Sequence, residues 1–177
     1  IIGVPLVPLF KLIYLTDAVS ALLFAIIFEL FLYANFCGVS LMLYGLFGII
    51  GYKIPLNFKQ PFSSSNIIEF WRGWHLSLSA VLKLLFYKPL RRSFPPSIAL
   101  LGVFLASGIW HGVTINFLIW GIFHALIFLF TIYLLRLNIP FLPTIVLILS
   151  VTIGRLIFAE GDTCLLYTSD AADDLLC

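Results

Sequence analysis

The sequence predicts an all-α protein, a polytopic transmembrane helical bundle with one interfacial or re-entrant helix. Three observations carry that expectation. The composition is 62% hydrophobic and only 10% charged, with a mean hydropathy of +1.14, whereas a soluble domain carries roughly 25% charged residues. Apolar runs broken by Pro, Gly and Asn recur along the chain. One segment, residues 67–87, instead mixes Trp, Arg, His and Ser with Leu, as helices at a membrane boundary do.

The opening IIGVPLVPLF has no initiator Met, no basic flank and no small-residue cleavage site, so it is not expected to act as a signal peptide. The expectation is a piece of a longer protein that starts inside an apolar element. Pro5, Pro8 and the following KLIYL predict a helix end and a short connection, and Thr16 and Asp17 can cap the next element. Residues 18–33 are apolar with one acid, Glu29. At ~1.5 Å per residue this run is a little short of the ~30 Å hydrocarbon core. An acid there is either paired with a nearby base or part of a substrate tunnel or proton relay. NFCGVS (35–40) is expected to interrupt the run, which resumes over 41–51 with Gly45, Gly48 and Gly51 spaced for close approach of another helix.

A polar, Pro-containing connection follows, and Ser65 or Asn66 with Glu69 offers a capping pattern for the next helix. That helix, 67–87, carries Trp71, Trp74, Arg72 and His75, and is expected at the interface with its tryptophans as boundary anchors. KPLRRSFPP (88–96) reads as a basic turn, and Pro95-Pro96 suits a helix start. Seven of the ten bases fall between Lys53 and Arg92, which places that region on the cytoplasmic side. Three further apolar spans are expected at 97–110, 117–135 and 141–158, with Asn138 and Pro140 breaking the second from the third.

From Cys164 the chain turns polar and acidic, CLLYTSDAADDLLC. The expectation is that 164–177 is adapter-derived and that 1–163 is the native part. Without that tail's Asp170, Asp173 and Asp174, ten bases face five acids. Only Cys37 then remains, expected as a small apolar packing residue that forms no internal disulfide.

Chemistry narrows to the histidines. No Gly-rich phosphate loop, HExxH, GxSxG or paired Cys/His set occurs in the sequence, so no metal and no bound cofactor is expected. His111 sits inside the apolar run 100–118, flanked by Gly108 and Gly112, and an ionisable ring in such a run is a functional-site candidate by default. A neutral imidazole can take a proton from a hydroxyl as it attacks an activated acyl group, help worth about 10²–10⁴-fold. The competing reading is a histidine that hydrogen-bonds across helices. For His111 the two stand level; for His75 and His124, residues alone favour packing.

FWRGWHLSLS (70–79), FYKPL (86–90) and SGIWHGVTINFLIWGIFHAL (107–126) resemble, in order, the signature blocks of the membrane-bound O-acyltransferase (MBOAT) family. NFCGVSLMLYG (35–45) and NFKQPFSSSNIIEFW (57–71) are similar to its bacterial branch, which serves alginate O-acetylation and teichoic acid D-alanylation. The resemblance covers residues 18–135 and extends toward Phe158. It implies a cell-membrane, multi-pass, bacterial acyltransferase that moves an acyl group, acetyl above all, from a donor such as an acyl thioester to a hydroxyl of an exported polysaccharide or wall polymer. His111 matches the family's membrane-embedded histidine and His75 its upstream polar position. His124 has no assigned role. Trp110, Trp74 and Asn116 are the candidate substrate contacts.

The implied partners are membrane lipid, the polymer acceptor, and an acyl-carrier or extracytoplasmic acetyltransferase protein; no nucleic acid is expected. The sequence departs from the pattern at Asn35 and Leu41 and at Leu84, where the family commonly has acids, and at Gly73, where it commonly has Arg. Residues 80–84, AVLKL, replace a Trp and an Arg-Asp pair. Competing expectations are a non-catalytic polytopic membrane protein, transporter-like or a degenerate family member, and an acyltransferase acting on lipid or protein hydroxyls.

Overall fold

The computed structural model describes residues 18–159. The expectations for residues 1–17, with the Thr16 and Asp17 cap, and for the tail lie outside the described residues. Among those described, every regular element is helical.

Helix α1 runs unbroken over Ala18–Ile49, 32 residues, so the interruption expected at 35–40 does not occur. Its cause is solvent. In lipid a broken helix leaves N–H and C=O groups without partners, and the two residues that argued for a break are harmless here. Asn35 satisfies its own amide by donating from Nδ2 to the Phe31 carbonyl at 2.8 Å, and Gly38 costs only about 1 kcal/mol of propensity. Gly45 and Gly48 face open space, with nothing within 4 Å of a Cβ at either; among the described residues no helix packs there.

The expected helix 67–87 is several pieces. Helix α2, Ile67–Gly73, begins at the predicted cap: Asn66 Oδ1 accepts from the Ile68 and Glu69 N–H groups at 3.1 and 3.0 Å. Glu69 Oε2 in turn accepts from Ser65 N at 3.0 Å and Ser65 Oγ at 2.9 Å. The chain then breaks at Trp74-His75 and restarts as α3, Leu76–Leu82. A π-helical turn, Lys83–Tyr87, leads into α4, Lys88–Ser93. The basic stretch expected as a turn is therefore helical through Ser93. Pro89 accounts for the wide turn before it, since it lacks an N–H and its ring crowds the carbonyl four residues back.

Helix α5, Pro96–His111, starts at the predicted double proline. Helix α6, Ile115–Leu137, ends at Asn138 in the left-handed conformation, φ 53°, which Asn tolerates. Helix α7 is Leu142–Ala159. Among the described residues, α1 and α6 are long and apolar enough to cross a membrane by themselves; α5 and residues 142–158 are shorter apolar helices.

Packing depends on glycines, because helices in lipid associate by close contact rather than by water exclusion. α5 and α6 form an antiparallel hairpin. Gly108 of α5 lies against the Phe117 carbonyl, and a Cβ on Gly121 of α6 would stand 2.6 Å from the Phe104 carbonyl oxygen. α7 packs on α6 with Gly154 flush against the His124 ring, and α1 packs on α7. α2 lies across α6 and α7, burying Ile67 and Phe70 with Leu147. Thr144 Oγ1 fastens α7 to the loop before α2 by donating to the Ser65 carbonyl at 2.8 Å.

Candidate active site: a histidine- and tryptophan-lined cavity

The break between α2 and α3 is stitched to residues 57–59. Lys59 N–H donates to the Gly73 carbonyl at 2.9 Å, and Leu76 N–H donates to the Asn57 carbonyl at 2.9 Å. Asn57 Oδ1 accepts from Ser77 N and Ser77 Oγ, each at 3.0 Å. A Cβ on Gly73 would stand 2.6 Å from the Lys59 carbonyl oxygen, so this backbone approach requires glycine here. His75 sits in the turn with φ 47° and ψ 60°, a left-handed conformation uncommon for a non-glycine residue. Its Nδ1 accepts from the Leu78 N–H at 3.4 Å and lies 3.4 Å from Ser77 Oγ. A ring nitrogen that accepts leaves the other one carrying the proton. Burial pushes the His75 imidazole below its ordinary value, which favours the neutral ring.

His111 is the last residue of α5, roughly 22 Å along it at ~1.5 Å per residue. Gly112 follows, where a Cβ would meet the Phe117 ring at 2.7 Å. His111 is partly exposed, and rings flank its imidazole on the protein side: Trp110 at 4.8 Å, Trp120 at 5.6 Å, Phe117 at 5.9 Å and Phe158 at 4.8 Å between centroids.

These elements line an open-sided cavity of about 700 Å³, within the usual size range of small-molecule sites. All three histidines and all four tryptophans of the chain are on its wall. Trp110 stands between the two candidate catalytic rings, 5.9 Å from His75 and 4.8 Å from His111, edge-on to both. Trp74 stacks on Phe70 at 5.4 Å. Trp71 stands edge-on to His124 at 5.1 Å and to Trp120 at 5.8 Å. Trp71 and Trp74 of this segment thus form part of the cavity wall. His124 is 3% exposed; its Nδ1 and Trp71 Nε1 have no hydrogen-bond partner among the described residues.

Asn116 is half-buried near the start of α6 and is not on this wall. The substituted positions Asn35, Leu41 and Leu84 are not on it either, whereas Lys83 is. No group of His, Cys, Asp and Glu suited to a metal occurs among the described residues.

Glu29 is also on the wall, 5% exposed, and its partner is Arg155. Arg155 Nε donates to Glu29 Oε2 at 2.6 Å, and Arg155 Nη2 pairs with the same oxygen. A base near Glu29 was one of the two sequence readings, but Arg155 was not named as that base. The available signal was a lone charge inside the last apolar run, as informative as Glu29 itself.

The sequence pattern of the MBOAT, membrane-bound O-acyltransferase family, matches residues 9–155. The chain belongs to the membrane-bound O-acyltransferase family. Among curated proteins, this MBOAT chain is 39% identical over 99 residues to a probable alginate O-acetylase of Pseudomonas syringae pv. tomato, covering 54% of the chain and 19% of that protein. It is 38% identical over 99 residues to a peptidoglycan O-acetyltransferase of Helicobacter pylori, covering 54% and 19%. A teichoic acid D-alanyltransferase of Bacillus subtilis is 30% identical over 111 residues, covering 56% and 28%. The matches thus span 19–28% of the length of these relatives. Family membership and the apolar helices make this a helical membrane protein, and the cavity is the part of the MBOAT fold on which the three histidines converge.

Proposed function

We propose that the whole protein is an O-acyltransferase of the bacterial cell membrane, spanning it several times. It transfers an acyl group, acetyl above all, from an activated donor such as an acyl thioester to a hydroxyl of an exported polysaccharide or wall polymer. The observation that carries this reading is the convergence of His75 and His111, from separate elements, on one Trp-lined cavity. His111 takes the acceptor hydroxyl's proton as its oxygen attacks the acyl carbonyl. His75, with Nδ1 engaged by the Leu78 N–H, offers its protonated nitrogen to the developing oxyanion. Collapse expels the thiolate, which receives the proton from His111. Such proton transfer is worth about 10²–10⁴-fold.

The names of the relatives, which cite alginate, peptidoglycan and teichoic acid, support a polymer acceptor. An acyl-carrier or extracytoplasmic acetyltransferase protein is the proposed partner that supplies or relays the acyl group. The test is His111→Ala in the full-length protein, with ester-linked acetyl measured on isolated envelope polymer. Loss of at least about 100-fold is expected; undiminished acetylation at normal protein level refutes the catalytic role. His75→Ala is expected to cost less, since it removes only a hydrogen bond.

A further inference from the structure

We infer that Arg155 is a positioning residue for His111, acting through Phe158 and itself fixed by Glu29; the inference rests on the catalytic reading of His111. His111 ends its helix and is followed by Gly112, so no further helical turn supports its ring, and the surrounding rings set its direction. One of them is held by a charge. Phe158 stands edge-on to the His111 imidazole at 4.8 Å, with an interplanar angle of 82°, and packs on Phe117 at 4.9 Å. The Arg155 guanidinium carbon lies 5.0 Å from the Phe158 ring centroid and 5.5 Å from that of Phe28, within cation–π range. Arg155 and Phe158 are three residues apart on α7, hence on one face.

Glu29 fixes the guanidinium in turn. Two nitrogens of the fork meet one carboxylate oxygen, which holds the plane as well as the position, and the side chains are 10% and 7% exposed. The contact also ties α1 to α7, 126 residues apart. A buried ion pair is weak evidence for stability, because apolar residues of the same volume often do as well. Charge in an apolar wall points instead to the site it borders. Lysine could keep the pairing with Glu29 but has no flat face to lie on Phe158.

The test uses the full-length protein in membrane vesicles, with radiolabelled acetyl-coenzyme A as donor and the vesicles' own polymer as acceptor. Arg155→Lys and Phe158→Leu are each expected to lower kcat about 10- to 100-fold, as misplacement by about 1 Å does, with the donor KM within about twofold. The combined variant is expected to be no worse than the more severe single one, because both act through one ring. Glu29→Gln with Arg155→Gln removes both charges together and should share the kcat loss while folding. Wild-type kcat in these variants, multiplicative losses in the combination, or losses that only track the amount of folded protein would overturn the inference. If His111→Ala abolishes transfer while these variants keep full kcat, only the positioning role fails; if His111→Ala keeps transfer, the catalytic reading fails first.

Discussion

Gly73→Ala tests how the cavity holds His75. The added Cβ would stand 2.6 Å from the Lys59 carbonyl oxygen and 3.4 Å from Pro61 Cα. Both neighbours are backbone, so no side chain can swing away, and one chain must retreat by roughly 1 Å to reach ordinary contact. That movement strains or breaks the Lys59 N–H to Gly73 carbonyl bond, now 2.9 Å. Overpacking costs about 1–3 kcal/mol and the hydrogen bond about 0.5–1.5, so about 2–4 kcal/mol is expected. Because the turn carrying His75 begins at the next residue, acyl transfer should fall at least tenfold, roughly what sub-ångström to ångström misplacement costs. The assay pairs thermal unfolding of the detergent-solubilised full-length protein with polymer acetylation in cells. Gly45→Ala and Gly48→Ala are the controls: their sites are open, and each should gain up to about 1 kcal/mol of helix propensity. A Gly73→Ala protein that melts and acetylates like the wild type would refute the reasoning.

Asn66→Ala should cost about 1 kcal/mol, because two N–H groups of the first turn of α2 lose their acceptor; unfolding of the solubilised protein reads it directly. The same cap is pH-dependent. The Ser65 N–H and hydroxyl hold the Glu69 carboxyl below its ordinary value of 4.5, so its contribution is complete above that pH and is lost as pH falls through the lowered value. Glu69→Gln should flatten that limb of a stability-against-pH curve, and an unchanged limb counts against the cap. Gly121→Ala and Gly108→Ala should each part α5 from α6, costing about 1–3 kcal/mol in the same melts. Gly102→Ala meets only the flexible Leu90 Cδ1, at 2.5 Å, and should cost less.

How much of this was legible depends on whether the governing force is local. The α2 cap was readable because Asn66 and Glu69 satisfy N–H groups within four residues. The start of α5 at Pro96 and the end of α6 at Asn138 were readable for the same reason. The unbroken α1 was not, since Asn35 and Gly38 are helix-weakening in water, and only the bilayer's intolerance of free backbone groups reverses the preference. The helical character of 88–93 was also hidden, because basic residues around a proline read as a turn until a π-helical turn accommodates the ring.

The sequence by itself determined the all-helical membrane class, through composition and the succession of apolar runs. It also determined the family, through ordered blocks around His75 and His111. Only the tertiary structure decided what those blocks build. It gathered the tryptophans along one cavity wall, left Asn116 off it, and paired Glu29 with Arg155 across most of the chain. The physical reason is distance in sequence. Caps and spans are set by neighbours a few residues away, whereas a cavity exists only where glycines at 73, 108, 121 and 154 let separate backbones and rings come together. What each such glycine meets cannot be read along the chain.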